Sequence, residues 1–160
     1  MPLIRIRGRS LNVGTGLCST ETEGNRRRDK AGTVAHFITQ EGDDFACIQE
    51  TGIRSDECPP PLAALFEGQG HHIRVSGGHS ANDYDTVAIT VHKRWKIAKV
   101  FRMPSSSRCL ALELRQGDCT IFVASVVLPT NVGRIPARTK SWANTETRAE
   151  ARRILLEVER

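Results

Sequence analysis

No stretch of the 160-residue chain approaches the roughly 18 consecutive apolar residues that a membrane span requires, so no helical span is expected. Nor is an apolar leader expected. The opening residues, Met1 to Arg7, read Met-Pro-Leu-Ile-Arg-Ile-Arg and put charge where a signal peptide is apolar, so we expect an intracellular setting, nuclear or cytoplasmic. The five cysteines (Cys18, Cys47, Cys58, Cys109, Cys119) are odd in number and contain no C-x-x-C pair, which leaves neither a disulfide framework nor a zinc knuckle and suits a reducing compartment. A G-x-S-x-G elbow, a G-x-x-x-x-G-K-[ST] phosphate loop and an H-E-x-x-H pair are all missing, so serine hydrolase, nucleoside triphosphatase and zinc protease readings find no support. There is no internal repeat and no low-complexity tract, and the linker-like stretches at residues 59–61, 76–83 and 104–107 are too short to divide domains. Residues 1–160 are expected to form one domain.

What is present suits a folded core. Hydrophobic residues make up 39% and charged residues 26%, far from the composition of disordered chains. The 23 Lys+Arg against 18 Asp+Glu leave a net charge of +5, which permits a polyanionic partner such as nucleic acid without demanding one. Residues 3–13 read as a strand whose apolar parity shifts across Gly8, as at a bulge. Residues 26–40 carry Val34, Phe37 and Ile38 at helical spacing and end at Gly42. Phe45 to Ile48 is a short continuous apolar run, the pattern of a strand buried on both faces, ending in Gln49-Glu50. A short helix over residues 59–66, closed by Gly68, and a strand at 71–75 follow. Further strands are expected at 87–91, 97–101, 110–114 and 121–128, with Gly117-Asp118 turning between the last two, and residues 145–160 form an amphipathic helix with Ala151, Ile154, Leu155 and Val158 on one side. This order predicts a mixed α/β layered domain.

Two strand ends carry candidate chemistry. Glu50, at the tip of a buried strand beside Gln49, is suited to a hard cation such as Mg²⁺, which takes oxygen ligands and often only one or two from protein; its plain alternative is a solvated strand-end residue. Asn12, in Ser10-Leu11-Asn12-Val13-Gly14, can position a phosphate or a metal-bound water, or is an ordinary turn asparagine.

In order along the chain, these segments resemble the endonuclease/exonuclease/phosphatase superfamily, which includes apurinic endonucleases and the endonuclease domains of LINE-type retrotransposons. The resemblance rests on Leu11-Asn12-Val13, Gln49-Glu50-Thr51, Asp83-Tyr84-Asp85-Thr86, Arg108 with the strand after it, and the strand ending in Leu128-Pro129-Thr130. The Gln-Glu-Thr and Leu-Pro-Thr endings are similar to the retroelement type. The resemblance implies a four-layer α/β/β/α sandwich and Mg²⁺-dependent hydrolysis of a phosphodiester, with Mn²⁺ as an alternative ion. Carried over by matching motif, Glu50 is the metal ligand and Asn12 lines the catalytic pocket, while Tyr84, Arg108, Thr130 and Arg134 lie near the substrate. Two other functions stay open: a phosphatase or lipid phosphodiesterase of the same superfamily, and a noncatalytic nucleic-acid-binding or interaction module.

The departures from the family pattern are specific. Val127 stands where a tyrosine usually contacts the scissile phosphate, and Gly14 stands near an acidic position of the repair enzymes. The Gly-Asp-x-Asn and Ser-Asp-His motifs, which supply the base and the phosphate-binding histidine, do not occur in these 160 residues. The helix ending at Arg160 corresponds to the one before Gly-Asp-x-Asn. The chain is therefore expected to match the N-terminal two-thirds of such a domain, with the C-terminal portion missing, as a truncated or inactive copy. Val123, Val126 and Leu155 would then present uncovered apolar surface and favour self-association. Of the basic stretches, His92-Lys93-Arg94-Trp95-Lys96 reads either as a platform for single-stranded nucleic acid or as a turn whose tryptophan covers the sheet edge. Arg134, Arg138, Lys140 and Trp142 fall where the family overhangs its substrate groove. His71 and His72, as neighbours on a strand, point to opposite sides, which argues against joint metal binding.

Overall fold

A computed structural model of the chain describes residues 4–14, 17, 24–78, 86–104 and 106–128. Within them the elements run β1 (Gly8–Asn12), α1 (Gly24–Gln40), β2 (Phe45–Gln49), α2 (Pro60–Gly68), β3 (His71–Ser76), β4 (Val87–His92), β5 (Lys96–Arg102), β6 (Cys109–Gln116) and β7 (Cys119–Val126). The first sheet has the order β1-β2-β4-β3. Only β1 and β2 are parallel, a pairing that needs a crossover, which α1 supplies. The second sheet is the antiparallel meander β5-β6-β7.

One face of the first sheet packs under the helices. Ala31, Ala35 and Ile38 of α1 and Leu62 and Phe66 of α2 bury against Ala46, Ile48, Ile73, Val75 and Ala88. The stripe on α1 differs from the expected one, because Phe37 is 44% exposed and lies beneath the Arg9 guanidinium, 4.3 Å from its carbon to the ring centre. Ala31, Ala35 and Ile38 form the buried side of the helix, and Phe37 stands at its rim. The helix ends as its glycine predicts: Gly42 takes φ 66°, its N–H bonds to the Thr39 carbonyl at 3.1 Å, and the Asp43 N–H reaches back to Ile38. Helix α2 starts behind Pro59, and the left-handed residue after it is Gly70, not Gly68.

The other face meets the second sheet. Cys47, Val87, Ile89 and Val91 interleave with Leu110, Leu112, Leu114, Val123 and Val127 around the fully buried Trp95. This explains why β2 and β4 read as nearly continuous apolar runs, since each is covered on both sides. Burial pushes the Cys47 thiol up to about 11, so it stays neutral in this layer. Trp95 is therefore a core residue with its Nε1 donating to Asp44 Oδ1 at 2.9 Å, and the exposed stacking platform is not formed. Val123 is likewise buried; the apolar surface lies one residue earlier, where Phe122 is 70% exposed and stands 6.5 Å, centre to centre, from Phe101. The Gly117-Asp118 turn forms as expected, with positive φ at its first central residue alone, the pattern of a type II′ hairpin.

Gly8 departs from its expected role. Strand β1 begins there with no shift of register against β2, and a β-carbon at Gly8 would fall within the ring of Phe45. The glycine is present to admit that ring. Gly8→Ala should destabilise the protein by about 1–3 kcal/mol through overpacking, read as a lower urea midpoint, and Phe45→Leu in the same chain should recover most of the loss. An unchanged midpoint in Gly8→Ala would refute this.

Candidate active site

Because β1 and β2 are parallel and in register from Gly8 opposite Phe45 to Asn12 opposite Gln49, their C-terminal ends lie side by side. This places Asn12 beside Glu50, although the two are separated by 38 residues, and Asn12 Nδ2 donates to Glu50 Oε1 at 2.9 Å. Asn12 is itself fixed by a short turn in which the Gly14 N–H donates to its Oδ1 at 2.9 Å, with Gly14 at φ 58°. The amide of Val13 continues the ladder onto the Gln49 carbonyl, and Lys30 Nζ from α1 caps the Val13 carbonyl. Asn12 is thus a turn asparagine whose amide at the same time holds the Glu50 carboxylate.

Glu50 has a feature the sequence does not announce. Among the described residues it is the one non-glycine with positive φ, at 59°. An L residue in this region is strained by about 1–2 kcal/mol. The conformation persists because both neighbours are held. Gln49 is in the β2 ladder, and the fully buried Thr51 donates its N–H to the Thr86 carbonyl and its hydroxyl to Thr86 Oγ1 at 2.9 Å, while its own carbonyl accepts from Leu17 at 3.0 Å. The bend turns the glutamate out of the strand's alternation at the edge of the sheet.

A second set of contacts ties the two sheets at this end. Gln49 Nε2 donates to Ser10 Oγ at 3.1 Å and to Ser125 Oγ at 3.3 Å, so one side chain joins β1, β2 and β7. The sequence marks Gln49 as part of a strand-end motif but gives no role to Ser10 or Ser125. The available signal was a serine in the apolar run Val123-Ala124-Ser125-Val126-Val127, and that serine is 1% exposed. Since Ser125 pairs with Leu110, the start of β6 and the end of β7 also sit at this end, bringing Arg108 and Val127 with them. Arg108 is half-buried in the turn before β6, its N–H on Ser106 Oγ at 3.2 Å and its carbonyl accepting the Val127 N–H at 2.8 Å. Val127 packs into the core between the sheets. Tyr84, Thr130 and Arg134 lie outside the described residues, as do His79, Asp83, Asp85 and the helix expected at residues 145–160.

The donor set admits a hard cation of one kind. Among the described residues no three His, Cys, Asp or Glu side chains converge on a common point, so a cage made wholly of protein ligands is not formed there. Glu50 and Asn12 instead offer oxygen at a half-exposed edge, as an ion held by one carboxylate, waters and substrate phosphate requires.

No protein-family model and no curated protein matches the sequence. Solved structures do. An AP endonuclease from Archaeoglobus fulgidus aligns over 78% of this chain and 40% of its own, with 19% identity and a TM-score of 0.52. A mannosyl-6-phosphatase from Bacteroides thetaiotaomicron aligns over 98% and 61%, with 12% identity and a TM-score of 0.57. An endonuclease/exonuclease/phosphatase family protein from Leptotrichia buccalis aligns over 91% and 61%, with 16% identity and a TM-score of 0.52. The chain thus has the fold of endonuclease/exonuclease/phosphatase proteins and spans about two-fifths to three-fifths of the length of these three.

Proposed function

We propose that this chain is built for metal-dependent phosphodiester hydrolysis on nucleic acid, with Asn12 and Glu50 as the metal- and phosphate-binding side of the site, within a four-layer α/β/β/α sandwich of which residues 1–160 form part. The observation that carries the reading is the hydrogen-bonded Asn12–Glu50 pair at adjacent parallel strand ends, with Glu50 held in a strained backbone conformation, the kind of strain that clusters at functional sites. Glu50 would hold Mg²⁺ or Mn²⁺, and a cation there supplies charge stabilisation for a phosphoryl oxygen. Asn12, oriented by Gly14, keeps the Glu50 carboxylate aimed. Gln49 fixes the two sheets against each other beside it, so that Arg108 approaches from β6. Tyr84, Thr130 and Arg134 complete the substrate side in this reading, and the Gln49-Glu50-Thr51 and Leu128-Pro129-Thr130 endings incline it toward the retrotransposon type of endonuclease.

The test has two readouts. Titration with Mn²⁺, followed by electron paramagnetic resonance, should show one site that Glu50→Ala weakens at least tenfold. Supercoiled plasmid and a small phosphomonoester, each with Mg²⁺, then separate the substrate classes: any cleavage should favour the plasmid and vanish in Glu50→Ala. Plasmid nicking that survives the substitution, or a Mn²⁺ site indifferent to it, would sink the assignment.

A further inference from the structure

At the opposite end of the first sheet, where β1 and β2 begin, a cavity of about 260 Å³ is lined by Arg5, Arg7, Arg94, His92, Asp43 and Asp44. The five residues of β1 separate it from Asn12 by about 17 Å at ~3.3 Å per residue, so it is no part of the site described above. Its charges do not cancel locally. Asp44 Oδ1 accepts from Trp95 Nε1 at 2.9 Å and from Arg94 Nε, and Oδ2 accepts the Arg7 N–H at 2.8 Å. Asp43 is held by Arg9 through Nε and, at 3.2 Å, NH2. Each buried carboxylate therefore has its own guanidinium, Arg94 for Asp44 and Arg9 for Asp43.

Arg5 and Arg7 remain. The Arg7 guanidinium donates NH1 to the neutral Glu41 carbonyl at 2.9 Å, and the exposed Arg5 accepts from Arg94 NH2 at its carbonyl, at 3.1 Å. The nearby Glu41 carboxylate is more than half exposed and stands 3.9 Å from Arg9. Arg5 and Arg7 thus line a cavity that also holds Asp43 and Asp44, and among the described residues neither arginine is ion-paired to those carboxylates, whose guanidinium partners are Arg9 and Arg94; counted with Arg94, the lining carries three arginines against two carboxylates. His92 adds a neutral donor: its Nδ1 accepts the Arg94 N–H at 3.1 Å, which leaves the ring proton on Nε2. Gly42 lines the mouth, and its missing side chain keeps the space beside Arg7 NH1 open. The cavity is smaller than the roughly 300–1,000 Å³ of clefts for drug-sized ligands, and forked guanidinium donors match a tetrahedral oxyanion.

We propose that this cavity binds a phosphate group, gripped by Arg5 and Arg7 and walled by Arg94, which Asp44 holds in place. The group is either inorganic phosphate or the terminal phosphate of an oligonucleotide.

Inorganic phosphate titrated into the protein and followed by amide chemical shifts should move Arg7, Gly42 and Asp44 saturably. The Arg5→Ala/Arg7→Ala double variant, which leaves the backbone bonds to Asp44 intact, should weaken that binding at least tenfold while retaining a folded spectrum. Arg74→Ala/Lys96→Ala, which removes two exposed cations from strands β3 and β5, and Glu50→Ala should both leave it unchanged. Competition by a 5′-phosphorylated oligonucleotide, and not by its unphosphorylated form, would support the proposal with a nucleic-acid end as the source; competition by neither, with the phosphate shifts intact, would support it with free phosphate as the source. Absence of saturable shifts, equal weakening by the two double variants, or loss in Glu50→Ala would overturn it.

Discussion

Glu50→Gly should make the protein more stable while removing its metal affinity. At φ 59° the glutamate occupies a region that costs an L residue about 1–2 kcal/mol and glycine nothing. Glycine's larger unfolded-state entropy returns about 0.5–1 kcal/mol of this, so a net gain of about 0.5–1 kcal/mol is expected, seen as a higher urea midpoint at constant slope. Glu50→Gln should keep the strain and the bond from Asn12 Nδ2, and so change stability little, yet lose the charge. If Glu50 holds the cation, both variants should lose Mn²⁺ binding, and any Mg²⁺-dependent cleavage should fall at least 100-fold, about 3 kcal/mol of transition-state stabilisation. A Glu50→Gly protein less stable than the parent would show that the left-handed turn is held by the carboxylate and not by Thr51. Retained Mn²⁺ binding in both variants would remove Glu50 from the site altogether.

The same residue shows how far the sequence could be read. Gln49-Glu50-Thr51 is legible as a polar break after a doubly buried strand and Asn12 as the end of an early strand, but that the two ends are neighbours follows from the parallel register of β1 and β2. The backbone strain was not visible, because it is imposed by Thr86, a residue 35 positions away whose hydroxyl clamps Thr51. The Gln49 to Ser125 bond spans 76 residues and joins two sheets, so no local pattern announces it. Gly8 was misread for a related reason: a parity shift in one strand looks like a bulge when the ring that needs the space, Phe45, belongs to another. Trp95 among cations allows a nucleic-acid platform or a covered sheet edge, and the fold decides for a covered residue by placing Asp44 under its Nε1 and closing the core over it. Local signals named the elements; the long-range partners that convert an element's end into a site had to come from the fold.

The arginine-lined end has a titratable neighbour whose effect on stability is large. His71 on β3 is 1% exposed, its Nδ1 has no hydrogen-bond partner among the described residues, and its ring meets that of His92 edge-on at 5.3 Å. Thr90, on the same face of β4, likewise has a buried hydroxyl without a partner among the described residues. Burial first, then His92 and, less, His72, lower the His71 value to about 4, against the opposing pull of Asp43 and Asp44. The folded protein therefore keeps this histidine neutral while the unfolded chain protonates near 6.5. Above pH 6.5 nothing is lost; between pH 6.5 and about 4 the unfolded state binds the extra proton, and stability should fall by about 1.4 kcal/mol per pH unit, to a total of about 3 kcal/mol. Asp44, held below the ordinary carboxylate range by the Arg7 N–H, Trp95 and Arg94 in spite of its burial, loses its contribution only at lower pH, so the two windows separate. His71→Phe keeps an edge contact to His92 and discards an atom that had no partner. Its unfolding free energy, measured by urea at each pH, should be nearly level from pH 6.5 to 4, whereas the parent protein's declines. Parallel declines in the two proteins would mean that other groups carry the acid sensitivity and that His71 is protonated within the fold.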